Sequence, residues 1–187
     1  MGLKKRIIIA STLVALIVFV VVANIAAAPR EHTAGVDFIA DDEFLPMLVH
    51  DIANAESSIV CSIYMFKTDG ENNDTTKLIL DSMVDALSRG VSVYILMDVG
   101  EGKDDFSAKY NEPTGKVLEE AGATVIYDDP QRRLHTKLFV LDDEITYIGS
   151  HNYTYSALKR NAESSVRIKS REIAIEAVNY IKSTATP

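Results

Sequence analysis

Two side chains suited to phosphoryl chemistry open the stretch HTKLFVLDDEITYIGSHN, which runs from His135 to Asn152. The residues between are rich in β-branched and aromatic types, so the run reads as strand. His135 and Lys137, two positions apart, then project to one side of it. A neutral imidazole nitrogen can attack phosphorus, and a charged one can donate a proton. A lysine beside it offers fixed positive charge to phosphate oxygens. Ser150 and Asn152 can donate hydrogen bonds to the same oxygens, and Gly149 permits a tight turn close to a ligand. Asp142 falls in the turn Asp142–Glu144 between two expected strands. A lone His-x-Lys is equally a solvated surface pair. H-x-K, four residues, D, six residues, G-S-x-N is not, because six such identities arise on the order of once in 10⁸ registers.

This spacing resembles the HKD motif of the phospholipase D superfamily at every specified position. The resemblance implies an α/β domain whose mixed β-sheet carries helices on both faces, covering about Val36 to Thr184. It implies a structural role for Asp142. Larger members carry two such motifs and build one site between two halves. This chain has one, as in the single-motif branch, which includes small bacterial endonucleases and a membrane-anchored mitochondrial member. A homodimer with one composite site is the implied assembly. In the implied reaction His135 of one subunit forms a phosphohistidine, and His135 of the other protonates the leaving oxygen and then activates water. Lys137, Asn152 and Ser150 hold the phosphate oxygens. Glu163 matches the acidic residue that follows the motif in single-motif relatives, where it orients the nucleophilic histidine; a strand-edge glutamate is the plainer role. The scheme uses no cofactor and no metal.

The chain has 187 residues and a net charge of −8. Four of its 19 basic residues, Lys4, Lys5, Arg6 and Arg30, lie in the first thirty positions, which hold no acid. The remainder sets 15 basic residues against 27 acids, a balance of −12. Such a body does not favour nonspecific nucleic-acid binding. The sign reverses near the motif, at Arg132, Arg133, Lys137, Lys159 and Arg160, which suits a phosphate-bearing substrate or is solvated surface charge. Cys61 is the single cysteine, so no intrachain disulfide forms, and its apolar surroundings suggest a buried thiol. No Cys/His cluster has zinc spacing.

Residues 1–28 read as a membrane anchor or signal segment. The apolar run from Ile7 to Ala28 would make a helix of about 33 Å, enough to span a bilayer. Ala26, Ala27 and Ala28 offer a cleavage site, so a secretory signal is the rival. In either case the basic N-terminus stays cytoplasmic and the domain at 36–187 faces the other side, anchored or secreted. Residues 29–35 form a linker.

Within the domain, Val36–Ala40 is a candidate strand. Asp41 or Asp42 caps a helix to about Ala55, with Phe44, Leu48, Val49 and Ile52 on one face. Ser58–Phe66 reads as strand and the polar stretch Lys67–Thr76 as loop. Two helix–glycine–strand units follow: Thr75–Arg89, Gly90, Val91–Met97, and Thr114–Ala121, Gly122, Ala123–Tyr127. The charged segment Val99–Pro113 between them reads as a long loop, either substrate-facing or disordered. Asp98 and Asp128 each follow a strand, as helix caps or as ligand-facing loop residues. After the motif strands Thr136–Leu141 and Ile145–Gly149 come a strand at Asn161–Ile168 and an amphipathic helix at Arg171–Thr184.

Three functions fit. A phospholipid substrate suits the anchor and the acidic body. A DNA or RNA substrate suits the basic cluster, with Tyr153 and Tyr155 stacking on bases or simply packing against the domain. A non-catalytic phosphate-binding scaffold is the third.

Overall fold

A computed structural model describes residues 31–68, 74–100 and 105–185. The expected membrane segment lies outside these residues. No helix among the described residues is long and apolar enough to cross a membrane.

Seven strands form one mixed sheet: β1 (Gly35–Ala40), β2 (Ser58–Ile63), β3 (Ser92–Met97), β4 (Thr124–Tyr127), β5 (Lys137–Leu141), β6 (Ile145–Gly149) and β7 (Ser164–Lys169). Their order is β1-β7-β6-β5-β2-β3-β4. β2, β3 and β4 run parallel, and β5, β6, β7 and β1 continue antiparallel from β2. The helices are α1 (Phe44–Asn54), α2 (Asp74–Ser88), α3 (Ala108–Glu120), α4 (Tyr155–Lys159) and α5 (Arg171–Thr184).

Strand alternation divides the apolar residues between two layers. Ile59, Cys61 and Ile63 of β2, with Phe139, Leu141 and Tyr147, face α1 and α2 and build the larger core. Burial pushes the Cys61 thiol well above its usual range, so it is an inert packing residue. Val60, Leu96, Leu138 and Val140 face the other way, onto Ala174, Val178 and Ile181 of α5. Helices therefore cover both faces, as expected.

Three local expectations need correction. The segment Val99–Pro113 is not one loop, because α3 begins at Ala108 and carries Pro113 inside it. Proline removes one backbone donor there. The turn is held by tertiary bonds instead: Asn111 Nδ2 donates to Tyr64 O (2.9 Å) and Asp98 O (2.8 Å), and Thr114 Oγ1 bonds Phe66 O at 3.0 Å. β2 ends at Ile63 rather than Phe66, and the next residues run on as an irregular extension. β7 starts at Ser164, since Asn161 and the residues after it turn around the end of α4.

Candidate active site

β5 brings Lys137 to its first position, with His135 two residues ahead. The segment is held there from two sides. Tyr64 N donates to Thr136 O (3.0 Å), and the Ser62 and Thr136 hydroxyls pair at 2.7 Å. On the other side Asp98, fully buried at the end of β3, accepts Leu134 N (2.7 Å) and Arg133 Nη1 (2.7 Å). Asp98 is thus not a helix cap. It fixes the two residues that precede His135. Asp128 is not a cap either: it accepts Val99 N at 3.0 Å, and its buried Oδ2 has no partner. Burial raises its carboxyl to about 6 against that hydrogen bond.

The His135 ring is exposed and lies 4.7 Å from the ring of Tyr64, tilted by 50°. Lys137 Nζ donates to His135 O (3.0 Å) and sits 5.2 Å from the same tyrosine ring. Partial burial, then the positive charges of Lys137 and Arg133, hold the His135 pKa below the ordinary histidine value, and Asp98 partly offsets them. A neutral imidazole at neutral pH follows. Burial also lowers the Lys137 ammonium, while Glu163 and Asp98 favour its charge.

Gly149 ends β6 where it crosses β7 closely. A Cβ there would fall 2.5 Å from Ser164 O and collide with Ser165. The next residues pair with the same strand. Ser150 N donates to Ser164 O (2.9 Å), Ser164 N donates to Ser150 Oγ (3.1 Å), and Ser150 Oγ donates to Glu163 Oε2. Glu163 also accepts Asn161 Nδ2 (2.9 Å). The contact with a His135 ring nitrogen that the resemblance implies is not among these bonds. Its carboxylate is engaged by Ser150 and Asn161, because β7 delivers it beside the Gly149–Ser150 turn. It reaches the other motif residues through its charge on Lys137.

His151 anchors the stretch between Ser150 and Asn152. It is fully buried, stacked on Phe44 at 4.3 Å, and bonded through Nδ1 to Ser165 Oγ (2.8 Å) and through Nε2 to Asp41 O (2.9 Å). Burial depresses its pKa, with Asp41 and Glu163 opposing. Tyr153 N donates to Met65 O and Lys67 N to Tyr153 O, both at 2.9 Å. The extension after β2 therefore runs between the His135 segment and the Asn152 segment. Asn152 Oδ1 is buried there without a hydrogen-bond partner. Tyr153 is buried in the core and has no free face for a base.

Asp142 lies at the opposite end of the β5–β6 hairpin. Its carboxylate accepts Glu56 N (2.9 Å), Ser57 N (2.8 Å), Ser57 Oγ (2.8 Å) and Ser58 N (2.8 Å). The hairpin turn is thereby tied to residues 56–58. Burial opposes its charge, and these donors outweigh burial to lower its pKa. Of the expected basic cluster, Arg133 spends its charge on Asp98 and on Asp105 at 3.4 Å, and Arg160 sits 5.0 Å from the Tyr155 ring.

Sequence reasoning missed Tyr64, Asn111 and His151. Each acts from a strand extension, a helix interior or a buried loop, where only tertiary contact gives the residue meaning.

Comparison with known proteins follows the same outline. The family described as "Cardiolipin synthase, PLD-like domain" matches residues 48–184. A phospholipase D of Rickettsia prowazekii is 33% identical over 127 residues, 68% of this chain and 55% of that protein. Cardiolipin synthase B of Salmonella typhimurium is 30% identical over 124 residues, 60% of this chain and 28% of that protein. The chain thus spans about half the length of the first of these relatives and less of the second. Among solved structures, the phospholipase D family member Nuc from Salmonella typhimurium superposes with a TM-score of 0.67 at 21% identity, covering 81% of this chain and 94% of Nuc.

Proposed function

The chain belongs to the phospholipase D-like family, and we propose that it hydrolyses phosphodiester bonds through a covalent phosphohistidine. What supports this reading is that the extension after β2 bonds Thr136, between His135 and Lys137, on one side and Tyr153, next to Asn152, on the other. The neutral His135 ring of one subunit attacks phosphorus, forming a P–N bond as the P–O bond to the leaving group breaks. His135 of a second copy, protonated, gives its proton to the leaving oxygen. It then takes a proton from water, whose oxygen attacks phosphorus and releases the P–N bond. Lys137 neutralises charge growing on the phosphate oxygens. The Ser150 hydroxyl and the Asn152 amide nitrogen donate to them. Glu163 positions Ser150 and supports the charge of Lys137.

Phospholipid is the proposed substrate. The relatives at 30–33% identity are named phospholipase D and cardiolipin synthase, and the apolar run before residue 29 suits a protein held at a bilayer. In this reading the N-terminus is cytoplasmic and the catalytic domain lies on the other side, anchored or secreted.

The test offers phospholipid vesicles, labelled single-stranded DNA and labelled RNA to the full chain in chelator, beside His135→Ala. Head-group release that depends on His135, with a phosphohistidine trapped by acid quench, is expected. Cleavage of nucleic acid alone would replace lipid by nucleic acid as substrate. Loss of activity on adding chelator would remove the metal-free mechanism. No hydrolysis of any substrate would leave a phosphate-binding scaffold.

A further inference from the structure

Exposed apolar side chains are scattered over the surface, Phe38 at 70% and Ile148 at 48% among them, and a lone one is ordinary. Phe106, at 59%, has different surroundings. It lies just before α3, in a turn pinned from two directions. Asp105 Oδ1 accepts Ser107 N and Ala108 N, each at 2.9 Å. Arg133 grips the same turn, with Nη2 3.4 Å from Asp105 Oδ2 and Nη1 3.2 Å from Ser107 Oγ. Ser107 is fully buried, and the Phe106 ring is left outside.

That ring stands edge-on to Tyr110, with centroids 5.2 Å apart and planes at 83°. Lys67 Nζ lies 4.3 Å and Lys109 Nζ 5.5 Å from the Tyr110 centroid. An aromatic tip is thus flanked by two ammonium groups. The patch borders the candidate active site by two routes. Lys67 follows Tyr64 by three residues on the extension after β2, and the Tyr64 ring is the neighbour of His135. Arg133, which grips the Phe106 turn, also lies 5.5 Å from the Tyr64 ring.

Such a combination suits the level where lipid headgroups meet acyl chains. Aromatic rings collect at that level, and lysines reach phosphates there over long apolar stems. A bare ring leaves water on entering it, and each lysine near an anionic surface adds attraction. Nucleic acid fits less well, because base stacking needs open ring faces and Lys67 lies over the Tyr110 ring.

We propose that Phe106, Lys67 and Lys109 form the contact through which this domain rests on a phospholipid bilayer. Phe106 enters the acyl boundary, and the two lysines meet headgroup phosphates. His135 then opens at the level of the lipid phosphates. The domain's excess of acids makes a local contact necessary, since anionic lipid repels an acidic body elsewhere. Contact with the bilayer stands on the patch; only the delivery of lipid to His135 rests on the function proposed above.

The chain has no tryptophan, so Phe106→Trp supplies a unique emission. The full chain is reconstituted in vesicles of equal parts phosphatidylcholine and phosphatidylglycerol, with and without bromine on the acyl chains. Emission at shorter wavelength, most of it lost to the brominated chains, is expected. Val117→Trp, at a site 44% exposed and about 13 Å along α3 from Ala108 at ~1.5 Å per residue, should keep its emission. Adding Lys67→Glu and Lys109→Glu to Phe106→Trp should restore most of what bromine removes. Should circular dichroism show Phe106→Trp misfolded, Lys109→Trp, exposed in the same patch, is read in its place. An unquenched Phe106→Trp, a Val117→Trp quenched as strongly, or quenching indifferent to the lysine substitutions would overturn the contact. Quenching by single-stranded DNA and not by brominated lipid would replace the bilayer by a nucleic-acid base. Hydrolysis is measured on the same samples. Phe106→Ala should lower the rate on vesicle lipid about ten-fold relative to soluble bis(para-nitrophenyl) phosphate, the loss of one inserted ring. Quenching without hydrolysis of any phosphodiester leaves the contact standing and removes the proposed function. Lipid hydrolysis without quenching does the reverse.

Discussion

The β5–β6 hairpin has two unlike ends. At its turn, Asp142 and Asp143 hold left-handed conformations, φ 54° and 53°, that L-residues adopt at a cost. Four hydrogen bonds from residues 56–58 to the Asp142 carboxylate offset that cost. Both oxygens of that carboxylate are engaged. At the open end the His135 ring is exposed, Lys137 Nζ turns back on the His135 carbonyl, and Asn152 Oδ1 has no partner. The turn thus holds a carboxylate engaged within the fold, and we propose that the side chains at the open end serve another molecule.

Four substitutions test the division, from the largest expected effect to the smallest. His135→Ala should lower hydrolysis by at least ~10³-fold. Its unfolding free energy should change by less than ~0.5 kcal/mol, as for an exposed side chain. Steady-state rates beside a denaturant curve check this.

Lys137→Ala should cost ~10²–10³-fold in kcat, the usual loss of one oriented charge. It should also move the acid limb of kcat/KM. The attacking histidine must be neutral, so activity falls as pH drops through its pKa. That limb lies below the ordinary histidine value in the parent protein, through burial and then the Lys137 charge. Removing the charge lifts the limb to higher pH, and a pH–rate profile reads it.

Asp142→Ala should reverse the pattern: stability falls by ~2 kcal/mol as three backbone donors lose their acceptor, and activity per folded molecule stays within about two-fold. The Asp142 pKa is lower folded than unfolded. Its contribution is therefore present above the unfolded value and lost as pH falls through the folded one. The stability gap between parent and variant should close in acid.

Asp98→Asn should cost about ten-fold in rate, ~1.4 kcal/mol, the smallest loss among the residues beside His135. The acid limb should shift to lower pH, because Asp98 supports the charged form of His135. An unmoved limb would mean that Asp98 only holds the backbone.

The sequence made the open end of the hairpin legible because its chemistry is written in residue type and spacing. The strand Ile145–Gly149 and the helix Arg171–Thr184 have the bounds their patterns predict. Capping glycines at 90 and 122 adopt φ 91° and 103°, as their places after helices suggest. What was illegible depends on partners far along the chain. Pro113 reads as the end of a loop until Asn111 and Thr114 are seen bonded to β2's extension and to Asp98. Asp98 reads as a cap until Arg133 and Leu134 are found on it, and nothing in the spacing shows that Glu163 accepts from Ser150. The short helix α4 has too few residues to show a period.

Cys61 has a practical consequence. It is the chain's single thiol, fully buried in the larger core and poorly ionised. Maleimides and other thiol reagents will find no reactive target on the folded protein. One cysteine placed at Phe38 or Ile148 would then be a unique attachment point for a spin label or a fluorophore, with the natural cysteine left in place. Distances between labels on two chains could be measured without first engineering a cysteine-free background.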